Sequence, residues 1–407
     1  MVADNDEVAI IGAGLCGLTL ALALQQQSIP CSVYEARSAP KDIGGAIVLS
    51  PNALQILDML GVYPRIKSRG HESEAILFRT QDDQIVDSYE LGNEQKYGYK
   101  SLRIYRHWVI EELLRCLSEK NIPVQFEKKF EQILSESNAE VIWEFADGSI
   151  GRAGSLIGAD GVYSRVRSYL YPDVKPHFIG IVGVAAYVPT TQVDIPEGYQ
   201  LPVTIMGDTN GGYIIGPQKA DGSEMMLGRQ RRWPEVDREG WKALAADKKW
   251  CLDFLRHGAE DFPIIIRTSV ANICQDKIDV WPFYIVPKLD SWISETGRVA
   301  IVGDAAHALP PSSGQGANQV FEDAWTYARV RCQCKSASAR HALAKWNQGR
   351  QERIDRLLEF ADEITRRRMP NSRGDSANAR RRITDYLDFD WVFKCNYELM
   401  IQDWLAS

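Results

Sequence analysis

The stretch that most constrains the fold lies at the start of the chain. Glu7 to Ile11 reads as a short apolar strand, and Gly12-Ala13-Gly14-Leu15-Cys16-Gly17 reads as the turn that follows it. Leu18 to Gln27 then carries a helix rich in Ala and Leu, and Cys31 to Tyr34 forms a second strand ending in Glu35. Each glycine has its own job in such a unit. Gly12 makes the tight turn, Gly14 lets a pyrophosphate approach the bare backbone, and Gly17 lets helix and strand pack closely. Glu35 falls eighteen residues beyond Gly17, where a carboxylate can accept ribose hydroxyls. An acid there favours an unphosphorylated adenosine ribose, as in FAD or NAD. Arg37 is a second candidate at this end, either covering an adenine or pairing on the surface.

A late segment carries a second signal. Val299-Ala300-Ile301-Val302 is an apolar run of buried-strand type, and it leads into Gly303-Asp304-Ala305-Ala306-His307. Gly303 permits a sharp turn, so Asp304 presents its carboxylate at the carboxyl end of a strand, the edge where open α/β sheets bind ligands. Pro310-Pro311 stiffen the next turn. Gly314-Gln315-Gly316-Ala317-Asn318 then keeps the main chain bare before a helical pattern through Val320, Phe321, Ala324, Trp325 and Ala328. A glycine-rich turn opening a helix offers free N–H groups and the positive end of the macrodipole. A capping Asp in an ordinary strand–loop–helix connection is the alternative reading of the same residues.

Between these two signals the pattern changes character. Gly44-Gly45-Ala46-Ile47-Val48-Leu49 places small residues before an apolar strand, so that a flat group can approach the backbone. Asn52 is a candidate cap for a helix from Ala53 to Leu60 that Gly61 ends. Alternation through Ile76–Arg79 and Ile85–Tyr89, with Asp82-Asp83 between, predicts an antiparallel hairpin. Arg103 and Arg106 precede an amphipathic helix from His107 to Lys120, and Arg106 is the stronger candidate for a phosphate or ribityl contact. Ser155–Ala159 is again a strand ending in an acid, Asp160, beside Gly161, with Arg165 and Arg167 on the helix that follows. Asp160 could orient Arg106 or Arg167 beside a pyrophosphate, or cap the helix. From Ile179 to Pro287 the pattern is rich in strands, with a helix at Trp241–His257 and a further strand at Ile264–Ile266. The C-terminal third is helical; Asn371–Ser376 reads as a mobile loop, and Arg366–Arg368 and Arg380–Arg382 as solvated faces.

Composition narrows the function classes. The chain has 407 residues, enough for two or three domains, and its hydrophobic content of 45% supports large cores. A net charge of −7 argues against a nucleic-acid or anionic-membrane surface. No apolar run reaches the roughly 18–20 residues of a membrane span, and the acidic start (Asp4, Asp6, Glu7) is not that of a signal peptide. Eight cysteines without CxxC pairs read as reduced thiols, with Cys332 and Cys334 lacking the spacing of a zinc site. The expectation is a cytoplasmic protein without bound metal or nucleic acid, monomeric or a weak homodimer.

The N-terminal GAGLCG, the middle GADGVYSRVR and the late VAIVGDAAHALPPSSGQGAN occur in one order and at one set of distances. On these motifs the chain resembles the class A single-component flavoprotein monooxygenases, the group of para-hydroxybenzoate and salicylate hydroxylases, from about Val8 to Ala328. Its GGAIVLSPNAL stretch is most similar to fungal secondary-metabolism members. The resemblance implies an α/β, Rossmann-like (GR2-type) FAD-binding domain with an inserted β-sheet substrate domain and a C-terminal helical region. FAD-binding parts would then cover residues 1–75, 101–178 and 286–330. The substrate domain would take a hairpin from 76–100 and a sheet from 179–285, and C-terminal helices would fill 331–407. It also implies FAD as cofactor, NAD(P)H as transient reductant, O2 as oxidant and a small-molecule substrate. On the same resemblance, oxygen would add at the flavin C4a carbon, and the terminal peroxide oxygen would pass to an aromatic or polycyclic compound by hydroxylation or epoxidation. By residue, Gly12, Gly14 and Gly17 would lie at the pyrophosphate and Glu35 at the ribose. Ala46 and Ile47 would lie beside the isoalloxazine, Arg106 at the pyrophosphate–ribityl region, Asp160 in an Asp-Gly motif touching both FAD and the route of the nicotinamide cofactor, and Asp304 at the ribityl hydroxyls. Gly314, Gly316, Ala317 and Asn318 would face the pyrimidine edge, where a helix N-terminus stabilises negative charge. His307 is read as a packed structural histidine.

Substrate recognition is less constrained. Ala185 stands where some relatives carry an arginine on the substrate-domain sheet, which puts phenolate chemistry in doubt. Tyr213, in Asn210-Gly211-Gly212-Tyr213, and Arg229 are the candidate catalytic residues, with packing roles as the alternative. Ala46 also replaces the commoner second glycine of the family and would restrict flavin movement by one methyl. No second GxGxxG unit and no Trp-x-Trp-x-Ile-Pro stretch of flavin halogenases is evident. The competing functions are a reductase or oxidase on the same scaffold, and an NAD-dependent dehydrogenase using the first motif alone.

Overall fold

In the computed structural model the described residues are 6–40, 45–207, 211–333, 336–368 and 389–406. Gly44, Asn210, Cys334, Asn371–Ser376 and Arg380–Arg382 lie outside them, as do the side chains of Arg366, Arg367 and Arg368.

A five-stranded parallel sheet forms the first layer, in the order Val299–Ile301, Ser155–Gly158, Val8–Ile11, Cys31–Tyr34, Val124–Gln125. Val8, Ile10, Val33, Leu156 and Ile157 are fully buried, as parallel strands covered on both faces require. Helix Leu15–Gln26, with Arg106–Glu119 and Gly316–Gln333 packed on it, supplies cover on the helical side, and the antiparallel sheet Phe130–Glu136, Val141–Phe145, Ile150–Ala153 brings Trp143 and Phe145 against Tyr34. The register decides where a site can form. Ile11 lies opposite both Tyr34 and Gly158, and Gly158 lies opposite Ile301. Four strands therefore end level, and Gly12, Glu35, Asp160 and Asp304 all emerge at one edge.

A seven-stranded sheet makes the second layer, in the order Ile278–Ile285, His177–Pro189, Glu224–Arg232, Tyr213–Pro217, Val203–Ile205, Ala75–Arg79, Ile85–Glu90. Its two faces differ, because successive side chains on a strand point to opposite sides. Val184, Tyr213, Ile215, Met225 and Leu227 pack on one face in a core shared with three helices. Ala185, Tyr187, Ile214, Met226 and Trp281 form a smaller apolar cluster on the other face, with Tyr105 and with Trp108 of helix Arg106–Glu119. Between the layers runs a three-stranded sheet, Ala46–Leu49, Ser101–Tyr105, His71–Ser73. The long helix Ser336–Arg368 packs on helix Gly316–Gln333, and helices Asp390–Phe393 and Tyr397–Ala406 complete a helical C-terminal region. No helix among the described residues is long and apolar enough to cross a membrane.

Three local expectations need correction. Ile264–Ile266 begins the helix Ile264–Ala271 instead of forming a strand, because Pro263 opens it and Ile265 and Ile266 fall on its buried side. The span Trp241–His257 is two helices, Arg238–Ala246 and Lys248–Arg256, broken where Asp247 turns extended and caps the second by accepting from the Trp250 N–H. Asn52 is not a cap: the helix starts at Pro51, and Asn52 is buried within its first turn.

Gly17 shows how tight the first unit is. A Cβ there would lie 2.0 Å from the Gly12 carbonyl oxygen, whereas one on Gly14 meets nothing within 4 Å. Gly17→Ala should therefore cost about 2 kcal/mol in urea unfolding, while Gly14→Ala, at φ −84°, should unfold like the parent protein.

Candidate active site

The edge where the four strands end opens into a groove of about 600 Å³. Gly12, Gly14, Glu35, Arg37, Arg106 and Asp160 all line it. Gly12 sits at φ +111°, where its missing Cβ would collide with the Ala159 carbonyl, so only glycine permits this crossing of two strand ends. Glu35 Oε2 accepts from the Ala13 N–H at 3.0 Å and Oε1 from the Arg37 N–H at 2.9 Å, which fixes its carboxylate at the wall. Helix Leu15–Gln26 starts from Gly14 without a side-chain cap, so its first N–H groups point to the groove. Gly17 does not line the groove; its role is the close packing described above.

Asp160 caps helix Arg165–Leu170: Oδ2 accepts from the N–H groups of Arg165 at 2.8 Å and Val166 at 3.3 Å. Its Oδ1 is buried without a partner. Burial pushes this carboxyl up against the pull of those hydrogen bonds. Arg167 turns inward and donates to the Ala305 carbonyl at 2.9 Å and the Val162 carbonyl at 2.7 Å, clamping the middle motif to the late one. Arg106 opens its helix, and its N–H donates to the Gly45 carbonyl at 3.0 Å. Burial pulls its guanidinium down, Asp304 opposes that, and Arg37 adds repulsion. The bare glycines, uncapped helix, fixed carboxylate and orphaned Asp160 oxygen together fit a dinucleotide.

The late motif is held from beneath by buried charge. Gly303 turns at φ +61°, and its N–H donates to Asp323 Oδ2 at 2.7 Å, the atom that also meets His307 Nε2 at 2.6 Å. Arg350 Nε donates to Asp323 Oδ1 and its Nη1 to Glu322 Oε2, both at 2.7 Å; Arg353 donates to Glu322 as well. Burial alone would raise both carboxyls, but Arg350 with His307 or Arg353 outweighs it and holds Asp323 and Glu322 below the ordinary range. Glu322 also accepts from Asn52, which reaches Gln315, and Gln315 donates to Ser50 Oγ. His307 is thus a buried network residue. The Asn318 side chain, expected at the cofactor, is spent on the fold: it accepts from the Ser50 N–H and donates to the Val48 and Gly314 carbonyls. Gly314 and Gly316 keep open space where a Cβ would stand, and Ala317 packs partly on the core.

A second cavity of about 280 Å³ lies between the two layers. Ala46 and Val48 line it, whereas Ile47 alternates away and packs on the main core, so only Ala46 of that pair faces the space. Ile214 and Met226 line the opposite wall. Tyr213 and Arg229, expected to reach a substrate, do not. Tyr213 is fully buried on the helix face, and its hydroxyl donates to the Leu255 carbonyl. Arg229 lies over the Tyr213 ring at 4.6 Å and donates to the Phe254 and Leu255 carbonyls, closing the end of helix Lys248–Arg256. The sheet is the right one, but Tyr213 sits one strand position from Ile214 and Arg229 three from Met226, and an odd offset reverses the face. The polar residues that do line the cavity include His71 and Arg103. Arg103 stood in the sequence as the weaker of two arginines, and His71 was not singled out. Their pairing across neighbouring strands was the missing signal.

The family model described as "FAD binding domain" matches residues 5–248 and 291–361. The 3-amino-4-hydroxybenzoate 2-monooxygenase PtmB3 of Streptomyces platensis is 30% identical over 329 residues, spanning 80% of this chain and 79% of that protein. The FAD-dependent monooxygenase azaH of Aspergillus niger is 27% identical over 398 residues, spanning 90% and 88%. Among solved structures, a salicylate hydroxylase substrate complex superposes with a TM-score of 0.78 at 21% identity, covering 99% of this chain and 98% of that one. Klebsiella pneumoniae HpxO, complexed with FAD and uric acid, gives 0.76 at 21% identity, covering 98% and 96%. At that identity the two structures establish the fold.

Two outcomes are expected from this geometry. Tyr213→Phe removes one buried hydrogen bond and should cost about 1 kcal/mol of stability with kcat/KM unchanged, read by urea unfolding and steady-state kinetics. For Asp323 the depressed pKa means that its contribution is complete above the unfolded value near 4 and is lost as pH falls through the folded one. Asp323→Asn should be less stable by about 3 kcal/mol at pH 7. That gap should narrow in urea melts below about pH 4; a gap independent of pH would contradict the ionic role.

Proposed function

The chain belongs to the FAD binding domain family, whose members similar to it are FAD-dependent monooxygenases, and on that premise we propose that it uses NAD(P)H and O2 to hydroxylate or epoxidise a small aromatic substrate. When bound, FAD accepts two electrons from the nicotinamide and delivers one oxygen atom of O2 to the substrate, the other leaving as water. The observation that carries the reading is the adjacency of groove and cavity. Arg106 lines the groove, its N–H is bonded to Gly45, and the next residue, Ala46, lines the cavity. A long cofactor lying in the groove therefore reaches the smaller space at one end.

On this reading Glu35 accepts the ribose hydroxyls with Arg37 at the adenine end. Gly12 and Gly14 admit the pyrophosphate to the uncapped helix. Arg106 offers positive charge at the bend, and Asp160 offers its open oxygen to a donor there. Asp304, placed by Gly303, binds ribityl hydroxyls. The N-terminus of helix Gly316–Gln333, bared by Gly314 and Gly316, stabilises negative charge on the ring's pyrimidine edge. Ala46 sets the ring against the cavity, and the apolar wall of Ile214 and Met226 keeps water from the reacting atoms.

The test is the visible spectrum of the purified protein with and without NAD(P)H and air. The expected result is a bound flavin that NAD(P)H bleaches and oxygen restores, faster with a cognate ring compound, and with one oxygen atom in the product from O2. A protein that cannot be loaded with flavin would overturn the reading, and reoxidation without product for every substrate would favour an oxidase. Asp304→Ala and Gly14→Val should each lower FAD retention on gel filtration by at least about tenfold; retention by a folded Asp304→Ala variant would refute the ribityl assignment.

A further inference from the structure

The 280 Å³ cavity contains a charge that no acid among the described residues answers. Arg103 lies between Val48 and His71 in the three-stranded sheet, and all three line the cavity from one face. Its Nε donates to Gln218 Oε1 at 3.0 Å. Gln218 is fully buried at the end of strand Tyr213–Pro217, so it fixes the plane of the guanidinium without balancing its charge. Among the described residues Arg103 forms no ion pair. The acids near this sheet are engaged elsewhere: Glu72 with Lys67 and the Tyr63 hydroxyl, Glu224 with Lys219, Lys277 and the Tyr105 hydroxyl. Burial depresses Arg103, opposed only by the neighbouring tyrosines Tyr187 and Tyr105. His71 beside it is pushed down by burial and by Arg103, against the pull of Glu72; an imidazole carries no negative charge in either protonation state, so it cannot balance the guanidinium. Ala185 belongs to the apolar face of the seven-stranded sheet, and among the described residues that sheet contributes Ile76, Tyr89, Ile214, Pro217 and Met226 to the cavity wall and no cation.

We propose that Arg103 is the specificity-determining residue of the cavity and that the substrate is an aromatic acid whose ring carboxylate binds end-on to the two Nη groups. An unpaired guanidinium in an apolar space is unfavourable until an anion meets it, and its planar fork matches a carboxylate in two parallel hydrogen bonds. With Nε held by Gln218, the Nη edge is the part left for a ligand. The ring then lies along Ile76, Ile214 and Met226, between the fork and the Ala46 edge of the groove. This inference rests on the oxygenation reading above, because it takes the cavity as the substrate site.

Benzoate and 2-naphthoate, each paired with its neutral amide, are the probes. Dissociation constants come from perturbation of flavin absorbance in the FAD-loaded protein, and melting-temperature shifts come from the protein without added FAD. At least one acid is expected to bind about 10- to 100-fold tighter than its amide. Arg103→Gln should erase that preference, and Arg103→Lys should recover part of it, since a lysine keeps the charge and loses the fork. Equal binding of acid and amide, no binding of either acid, or a preference kept by folded Arg103→Gln would each overturn the proposal. Should Arg103→Gln fail to fold, as judged by its melting transition, the wild-type acid-to-amide ratio and Arg103→Lys decide. A protein that takes up no flavin yet binds benzoate through Arg103 would sink the oxygenase reading and leave the carboxylate site standing.

Discussion

The site depends on one buried ionic cluster. Glu322 and Asp323, adjacent on helix Gly316–Gln333, are fully buried, and so is Arg350. Two neighbouring carboxylates could not remain charged there alone. Arg350 bridges both and Arg353 covers Glu322, so the pair is matched charge for charge. Such clusters are weak evidence for overall stability because desolvation offsets the attraction. Their use here is positional. Asp323 fixes Gly303, the residue that aims Asp304, and Glu322 fixes Asn52, which leads to Gln315 and Ser50. Three segments separated by more than 250 residues at their extremes are thus referred to one helix.

The consequence is a division of labour between the two spaces. The groove is built mainly from backbone: strand ends, bare glycines and uncapped helix termini, with Glu35 and Asp160 themselves held by N–H groups. Backbone fixed by sheet register moves little, which suits a cofactor that stays in place. The cavity is walled instead by side chains from different sheets, Val48, His71 and Arg103 facing Ile214 and Met226. Those positions can change without disturbing the parallel sheet, so one scaffold can serve different substrates.

The sequence exposed the groove because its determinants are local. Gly12, Gly14, Gly17 and Glu35 lie in one strand–turn–helix–strand unit, and their roles follow from spacing. Asp160 and Asp304 were visible by the same logic, each following an apolar run and placed beside a glycine. Reading failed where a face or a partner decided the matter. Tyr213 and Arg229 have the chemistry of a substrate contact, yet alternation turns them toward helix Lys248–Arg256, while the unremarkable Ile214 and Met226 face the cavity. Asn52 looked like a cap and Asn318 like a cofactor ligand; both are consumed by contacts with residues far along the chain.

By itself, then, the sequence determined the parallel sheet, the edge at which ligands gather and the dinucleotide character of the groove. These follow from short-range rules of glycine, strand and helix that need no knowledge of distant partners. Tertiary structure alone decided which face of the seven-stranded sheet meets that edge, which buried charges brace it, and that Arg103 of the three-stranded sheet, not Arg229 of the seven-stranded one, lines the cavity. Register and long-range pairing fix those outcomes, and a shift of one residue reverses a side chain while leaving composition and periodicity unchanged.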